Sequence, residues 1–177
     1  MPALRKTNGK IAVTVDLTID HVPWRAAKRA PLASLVRKSA RGAFRIAAAD
    51  GWRTTASRLD LAVALIDDRA MRRLNHDFRG RKKPTNVLSF AALDGGKPMP
   101  GKPFHLGDIA LAAGVVTTEA RKQRKTVNDH LCHLVVHGVL HLLGYDHETE
   151  ADAARMETLE RVALAGMGIA DPYAWHR

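Results

Sequence analysis

The sequence contains a histidine motif, "HGVLHLLGYDH" at residues 137–147, inside an otherwise apolar run. His137 and His141 are four residues apart, so on an α-helix their side chains project from the same face. Two imidazoles in that arrangement can share one metal ion. Gly144 follows where a helix commonly ends in a left-handed residue, and the resulting turn can bring His147 to the same ion. The motif therefore predicts a metal site built from three histidines.

Three neutral imidazoles around a tetrahedral metal leave the fourth position open, which is the arrangement of a catalytic rather than a structural zinc site. A metal in such a site lowers the pKa of a bound water to about 7 and so provides a nucleophile at neutral pH. We expect one zinc ion per chain, with nickel or another divalent ion as the alternative, because imidazole also suits those metals.

Two residues beside the motif could support the metal site. His133 lies one helical turn before His137 and is predicted to contact a metal ligand or the substrate, although a partly buried helix-face histidine would have the same spacing. Asp146, directly before His147, could orient an imidazole or cap the turn with its side chain. Cys132 lies about 100° around the helix from His133, so we do not expect it to be a ligand.

The spacing of His137, His141, Gly144 and His147 also matches the metzincin protease signature. In that signature a glutamate follows the first histidine and acts as the general base, whereas this chain has Gly138. Peptide hydrolysis by the usual route would lack its proton acceptor. A metallopeptidase is therefore the alternative function, behind a reaction that needs no such carboxylate.

The composition indicates one globular domain with an anionic partner. The 177 residues are 46% hydrophobic and 26% charged, and the formal net charge is +10. So large an excess of lysine and arginine favours nucleic acid, although solubility alone could also account for it. Cys132 is the only cysteine, which excludes an intrachain disulfide and indicates a reducing compartment. The sequence has no apolar stretch typical of a signal peptide or a membrane span, so we expect a cytoplasmic protein with no membrane partner.

The elements that must position these residues follow from hydrophobic periodicity and capping residues. Alternating apolar residues predict strands at residues 11–20, 57–67, 86–92 and 106–112. Apolar residues at helical spacing predict helices at residues 31–50, 68–78, 115–124 and 126–144 and a last helix after the capping pattern at 149–152. Glycine and proline mark an exposed segment at residues 95–103. The mixed order predicts an α+β fold, a single domain over residues 1–177 with a mixed sheet of about four strands covered by about five helices.

The stretch "HLVVHGVLHLLGYDH" resembles the signature of the YbeY family, bacterial single-domain endoribonucleases with three metal-binding histidines. The resemblance extends from about residue 57 to residue 173. It includes "LNHDFRGRKKPTNVLSF" at residues 74–90, "LGDIALA" at residues 106–112 and the terminal helix that begins "EADAARMETLERV".

The resemblance implies a mixed sheet covered by helices and a zinc ion held by His137, His141 and His147. It implies cleavage of single-stranded RNA, including maturation of ribosomal RNA and disposal of defective ribosomes, with the small ribosomal subunit or its assembly factors as partners. The functional arginine of the family corresponds to Arg79 here. The family often has an acidic residue after that arginine, whereas this chain continues with "GRKKP".

Arg79 and the basic residues after it fit the chemistry of RNA cleavage. The transition state carries extra negative charge, which a guanidinium facing a metal can stabilise through two parallel hydrogen bonds. The nucleophile could be a water on the metal or the 2′-hydroxyl of the substrate, and the second would explain the absent carboxylate. Arg81, Lys82 and Lys83 would hold backbone phosphates, although a solvated loop would have the same composition.

The sequence therefore predicts a metal-dependent, single-strand-specific endoribonuclease that acts on ribosomal RNA. The alternatives are the metallopeptidase and a non-catalytic ribosome-assembly factor whose metal only stabilises the fold. The open coordination position argues against the assembly factor.

Overall fold

The computed structural model describes residues 11–20, 32–92 and 97–174 of the chain. These residues form four strands, which are β1 (Ala12–Ile19), β2 (Arg58–Ile66), β3 (Val87–Ala91) and β4 (Pro103–Ala112). They also form five helices, which are α1 (Leu32–Ala49), α2 (Asp68–Arg79), α3 (Ala113–Lys122), α4 (Val127–Leu142) and α5 (Glu150–Ala165). The predicted α+β class, with a mixed four-stranded sheet and five helices, is confirmed. No helix within the described ranges is both long and apolar enough to cross a membrane.

The sheet has the strand order β1-β2-β4-β3. Strands β1, β2 and β4 run parallel, and β3 runs antiparallel to β4 at one edge of the sheet. Helix α1 connects β1 to β2, because two parallel strands cannot be joined by a short hairpin. The register places Leu17, Val63 and Ile109 side by side on three neighbouring strands, so that their side chains form one apolar band.

The two faces of the sheet are covered by different helices. Alternate side chains of β2, such as Leu61 and Leu65, enter the main core together with residues of α1, α4 and α5. The intervening positions of β2 face the other side of the sheet. There Ile66 of β2 and Ala110 of β4 belong to a smaller core with Met71 of α2. Helices α2 and α4 therefore lie on opposite faces of the sheet.

Polar side chains cap three of the helices. Thr126 accepts a hydrogen bond from the backbone N–H of Asp129 at 3.0 Å, and Thr149 accepts one from that of Asp152 at 3.1 Å, as their spacing in the sequence predicts. Asp67 is the N-cap of α2, where its carboxylate accepts a backbone N–H of the first turn. Each cap satisfies an N–H group that helix geometry leaves without an intrahelical partner.

Four predicted boundaries are wrong by two or three residues, and one of them is the end of α3, which lies at Lys122 instead of residue 124. Strand β4 begins at Pro103, within the predicted exposed segment, because pairing with β2 already starts there. A proline is tolerated as the first residue of a strand. Helix α3 begins at Ala113, directly after β4, and α4 ends at Leu142, before the turn that was predicted to close it. Position 31 of the first predicted helix, and positions 95 and 96 of the exposed segment, lie outside the described residues.

Helix α4 packs closely against the sheet at Gly138. Ser89 of β3 donates a hydrogen bond to the carbonyl oxygen of Gly138 at 3.3 Å. A Cβ atom built on Gly138 would lie 3.0 Å from Oγ of Ser89 and 3.0 Å from Cδ1 of Ile109. A side chain at this position would therefore point into the sheet, and only glycine allows the helix to approach without displacing its neighbours.

The helical glycines Gly138 and Gly42 form a matched pair that tests this packing. A Cβ atom on Gly42 of α1 would meet only the carbonyl oxygen of Ala163, at 4.0 Å. Gly42→Ala should therefore raise the free energy of unfolding by about 0.5–1 kcal/mol, the difference in helix propensity. Gly138→Ala should lower the free energy of unfolding by about 1 kcal/mol. Overpacking costs about 1–3 kcal/mol, which exceeds the gain in helix propensity that alanine brings. Urea unfolding measures both, and equal stabilisation by the two substitutions would contradict the tight packing at Gly138.

Candidate metal centre

The structure brings His137, His141 and His147 together at the C-terminal end of α4. The Nε2 atoms of His137 and His141 are 3.0 Å apart, and the ring centroid of His147 lies 5.7 and 5.0 Å from theirs. Each histidine offers one ring nitrogen, and these nitrogens all lie within 4.8 Å of one another. Such a group could hold a metal ion, since zinc–nitrogen bonds are about 2.0–2.1 Å long. His147 is exposed and the other two are partly buried, so the group is open to solvent on one side.

The turn after α4 contains the hydrogen bonds that carry His147 back to the helix. Gly144 has a φ of 90°, in the left-handed region that glycine adopts without steric cost. The backbone N–H of Gly144 donates to the carbonyl of His141 and that of Tyr145 to the carbonyl of Leu140, both at 3.0 Å. This pair of bonds is the Schellman pattern of a helix C-terminus. The chain reversal predicted from the glycine is therefore present.

A second set of contacts holds this turn against α1 and α5. The Tyr145 hydroxyl donates to Oδ2 of Asp50 at 2.9 Å, and Nη2 of Arg155 donates to the same oxygen at 2.6 Å. Burial alone would raise the pKa of Asp50, but the hydrogen bonds from Arg155 and Tyr145 outweigh it and leave that pKa below its usual value. Asp50 is therefore an anion that joins the turn to two helices.

Asp146 caps the turn and makes only a longer contact with an imidazole. Its Oδ1 accepts a hydrogen bond from the backbone N–H of His147 at 2.7 Å. The same oxygen lies 3.9 Å from Nδ1 of His141, which is too far for a hydrogen bond but within ion-pair distance. Of the two roles predicted from the sequence, the turn cap is the one with a hydrogen bond.

A buried carboxylate lies behind the histidine group. Glu160 of α5 is 1% exposed and accepts hydrogen bonds from Nδ1 of His137 at 2.8 Å and from Nε2 of His133 at 2.7 Å. The Tyr173 hydroxyl also donates to it. Burial alone would raise the pKa of Glu160, but the hydrogen bonds from both histidines lower it to about 2, so the carboxylate is ionised at neutral pH. Because an ionised carboxylate only accepts, a neutral His137 carries its proton on Nδ1 and turns the lone pair of Nε2 toward the other histidines.

His133 contacts this carboxylate and does not belong to the three-histidine group. Its Nδ1 atom is buried and has no hydrogen-bond partner among the described residues. Its ring packs edge-on against that of Tyr173, with 5.5 Å between the centroids. His133 is thus a partly buried helix-face histidine that shares Glu160 with His137, and its ring centroid lies 6.4 Å from that of His137.

Burial and charge set the protonation of the surrounding groups. Burial, together with the neighbouring His137 and His147, lowers the pKa of His141, so this imidazole is neutral at neutral pH. Burial and the adjacent Glu160 raise the pKa of Tyr173, which therefore keeps the proton that it donates. Neutral imidazole is the form that binds a metal.

Arg79 lies at the end of α2, on the opposite face of the sheet from the histidines. It is exposed, and within the described ranges its side chain has no hydrogen bond or ion pair. The structure therefore does not bring Arg79 into contact with the histidine group. The preceding residue, Phe78, packs against Phe90 of β3 with 4.7 Å between the ring centroids. This contact places the end of α2 beside the edge strand.

The edge strand β3 separates Arg79 from the histidines. Ala91, the last residue of β3, pairs with Gly107 of β4. A Cβ atom on Gly107 would lie 3.0 Å from Cδ2 of Leu142, in the last turn of α4. The C-terminal ends of α2, β3 and α4 therefore meet at one edge of the sheet, with Arg79 on one side of β3 and the histidines on the other.

Arg81, Lys82 and Lys83 follow Arg79 in a loop and are all exposed. The side-chain amide of Asn75 donates to the carbonyl oxygen of Lys83 at 2.6 Å, which holds the loop against α2. The four cations thus form one exposed basic segment that begins at the end of α2.

Glu160 is a residue of the candidate site that the motif-based predictions miss. It lies on the buried face of α5 together with Met156, Leu159 and Ala163, at helical spacing. Acidic residues are rarely buried without a partner, so a glutamate on an apolar helix face indicates a cation or a donor opposite. That pattern is visible in the sequence, although it does not identify the histidines of α4 as the donors.

The fold and the histidine group define a single-domain α+β protein with a three-imidazole group that could hold a metal. The family model described as Endoribonuclease YbeY matches residues 32–168. Endoribonuclease YbeY of Rhodospirillum rubrum is 49% identical over 165 residues, which cover 90% of this chain and 82% of that protein. Endoribonuclease YbeY of Alkalilimnicola ehrlichii is 58% identical over 118 residues, which cover 64% of this chain and 68% of that protein. This chain belongs to the YbeY family, and the predicted resemblance is confirmed.

A solution structure of a protein from Thermotoga maritima is similar to this one, with a TM-score of 0.54 and 20% sequence identity. The match covers 88% of this chain and 92% of that protein. At this identity the likeness concerns the fold alone, and it agrees with the mixed sheet and helices described above.

Removing the carboxylate that holds His137 should weaken metal binding. Glu160→Gln keeps the size of the side chain but loses its charge, and loss of such a partner typically costs about 10–100-fold in metal affinity.

His141→Ala should lower the bound metal from about one ion per chain to almost none, because two imidazoles alone hold a metal poorly. Zinc titration against a competing fluorescent chelator measures both variants.

Glu157→Gln is the matched control, because Glu157 lies three residues earlier on α5 and pairs with Arg161 instead of a histidine. This variant should keep the zinc affinity of the unaltered protein. Full metal retention after replacing His137, His141 and His147 together would exclude the site. An unchanged affinity in Glu160→Gln would leave that residue a role in packing alone.

Proposed function

We propose that the chain is a metal-dependent endoribonuclease that cleaves single-stranded RNA in ribosomal RNA maturation and ribosome quality control. The observation that carries this proposal is the three-histidine group at one end of α4, which is open to solvent at His147. The relatives are named endoribonucleases, and a net charge of +10 suits a polyanionic substrate.

We assign one zinc ion per chain to His137, His141 and His147, with nickel or another divalent ion as the alternative. The donor set fits such an ion, because one ring nitrogen from each of three histidines lies within 4.8 Å of the others. A set of three histidines would leave one position for a substrate or a water. When bound, the metal would supply Lewis-acid chemistry, which polarises a phosphoryl oxygen and lowers the pKa of water.

Glu160, His133 and Asp146 support the proposed ligands without being ligands themselves. Glu160 holds the ring of His137 in one orientation and one tautomer, as carboxylates commonly do behind a metal-binding histidine. His133 acts through Glu160, to which it donates a second hydrogen bond. Asp146 holds the backbone of His147 in the turn. These three residues would fix the positions of the proposed ligands before a metal binds.

Arg79 is the proposed catalytic residue outside the metal site. A phosphodiester lying across the C-terminal end of β3 would have the histidines on one side and Arg79 on the other. The planar guanidinium can donate two parallel hydrogen bonds to phosphate oxygens and so stabilise the charge that develops during cleavage. Arg81, Lys82 and Lys83 would hold neighbouring phosphates without reading the bases.

The alternative functions have less support. A metallopeptidase would need its general base at position 138, but a side chain at Gly138 would point into the sheet, against Ser89 and Ile109, and away from solvent. A site that holds a metal only for stability usually has four protein ligands. The described residues offer three nitrogens in this group.

We further propose that residues 1–177 form one hydrolase domain that works in the cytoplasm. The family match over residues 32–168 supports a single domain. Cys132 is buried, and burial raises the pKa of its thiol, so it stays protonated and unreactive in a reducing compartment. A ribosomal RNA substrate would make the small ribosomal subunit or its assembly factors the partners.

Cleavage assays should separate a nuclease from a peptidase. The metal-loaded protein should shorten single-stranded RNA, lose this activity with a chelator and leave unstructured casein intact, because the site lacks a peptidase base. Gel analysis of both substrates with one preparation gives the answer, and His141→Ala purified in the same way controls for contaminating nucleases. Casein digestion with intact RNA would reverse the order of the two functions.

Arg79→Lys should lower the single-turnover rate of RNA cleavage by about 100- to 1000-fold, because a point charge cannot replace the planar pair of donors. Affinity for uncleavable RNA should fall much less than the rate, since an interaction confined to the transition state leaves ground-state binding nearly unchanged. Metal content should stay normal, because the arginine is not a proposed ligand. Rate, affinity and metal content are measured on the same preparation.

Neutralising Arg81, Lys82 and Lys83 together provides the complementary variant. It should weaken RNA binding and flatten its salt dependence, as expected for phosphate contacts. Near-normal cleavage by Arg79→Ala would exclude the arginine from the mechanism.

A further inference from the structure

The exposed face of α1 carries four cations, and the helix contains no acidic residue. Arg37, Arg41 and Arg45 recur at four-residue intervals, so they lie along one face of the helix, and Lys38 lies beside them. All four residues are exposed. We call them the α1 cation row. A solvated helix face usually mixes both signs of charge, because like charges one turn apart repel each other.

The four cations of the row lack acidic partners, unlike Arg58 and Arg155. Arg58 pairs with Asp60 at 2.8 Å, and Arg155 pairs with Asp50 at 2.6 Å. Within residues 11–20, 32–92 and 97–174, no member of the row forms an ion pair. Uncompensated charge of one sign raises the local concentration of anions and attracts an anionic ligand.

The row borders a concavity of about 620 Å³ between α1 and the end of α5. Gly166 and Met167, directly after α5, line the other side. A Cβ atom on Gly166 would lie 2.9 Å from Nη2 of Arg45, so the missing side chain leaves room for the guanidinium. The cations therefore surround a recess and are not spread over a flat surface.

We propose that the α1 cation row binds the phosphodiester backbone of RNA at a place separate from the histidine group. Guanidinium groups match phosphate oxygens with paired donors, and such contacts hold a strand without reading its sequence. Cations at regular spacing fit a chain of repeated phosphates better than they fit a single small anion. The choice of RNA among polyanions rests on the proposed function.

The row begins close to the turn that carries His147. Asp50, directly after α1, accepts the hydrogen bond of Tyr145, two residues before His147. At a rise of about 1.5 Å per residue, Arg45 lies about 8 Å and Arg37 about 20 Å along the helix from Asp50. A strand bound at the histidines can continue along α1, where the row holds the substrate outside the linkage that is cleaved.

The test compares two variants that each lose two positive charges. Arg37→Gln with Arg41→Gln alters the row, and Arg121→Gln with Lys122→Gln, two exposed positions at the end of α3, is the control. Both are made in the full, metal-loaded chain. Binding over a range of salt concentrations is measured with cleavage-resistant 2′-O-methyl phosphorothioate RNA of about 20 and about 4 nucleotides. At ~3.4 Å per nucleotide, a shorter RNA bound at the histidines spans about 14 Å and does not cover the distance of about 20 Å from Asp50 to Arg37.

The row variant should bind the longer RNA about tenfold more weakly. The slope of log affinity against log salt concentration should become smaller by about 1.4, because each of the two lost phosphate contacts contributes ~0.7 to it. Its affinity for the shorter RNA should be unchanged. The control variant should keep the original slope with both RNAs. Circular dichroism checks that both variants fold.

An unchanged slope in the row variant, or the same loss in the control, would overturn the row as an RNA site. The RNA site would also be overturned if the row variant lost binding to phosphatidylserine vesicles but bound RNA as before, because the ligand would then be a membrane surface. Failure of the proposed function looks different. The unaltered protein would leave RNA uncleaved, while the slope difference between the two variants would persist and support the row.

Discussion

The arrangement of the histidines depends on the buried carboxylate of Glu160. A charge inside a protein costs several kcal/mol of desolvation unless donors surround it. The rings of His133 and His137 and the hydroxyl of Tyr173 provide those donors. Because the donors come from α4 and from the segment after α5, the carboxylate links both to α5. The contact that stabilises the packing of α4 on α5 thus also sets the orientation of the proposed ligand His137.

The packing of α4 on the sheet explains the glycine that follows the first histidine. Gly138 faces β3 and β4 at contact distance, so the position where metalloproteases carry a base is used here for close approach. His137 lies about 100° and His141 about 60° around the helix from Gly138, and they face α5 and solvent. One helix therefore separates a packing face from a chemical face. The absent carboxylate follows from how the helix is seated, and RNA cleavage is compatible with it because the substrate carries its own hydroxyl group.

Local signals account for the parts of this protein that its sequence predicts well. Alternation over residues 57–67, the caps at Thr126 and Thr149 and the turn at Gly144 each depend on neighbouring residues alone. The three histidines belong to one helix and one turn, so their meeting is also local. Glu160 and the position of Arg79 are not local, because they depend on which helix packs behind α4 and which face of the sheet α2 covers. Periodicity gives the buried face of a helix but not its neighbour.

The turn after α4 is held by its own backbone hydrogen bonds and by Asp50. Its backbone bonds around Gly144 and the contact of Tyr145 with Asp50 do not involve the Nε2 atoms of His137 and His141. Zinc fingers, by contrast, fold only when their metal is bound. This chain has a full hydrophobic core of its own, so its folding need not wait for an ion. The apoprotein would then already be folded. Activity in the cell would be limited by the concentration of free metal and not by the amount of folded protein.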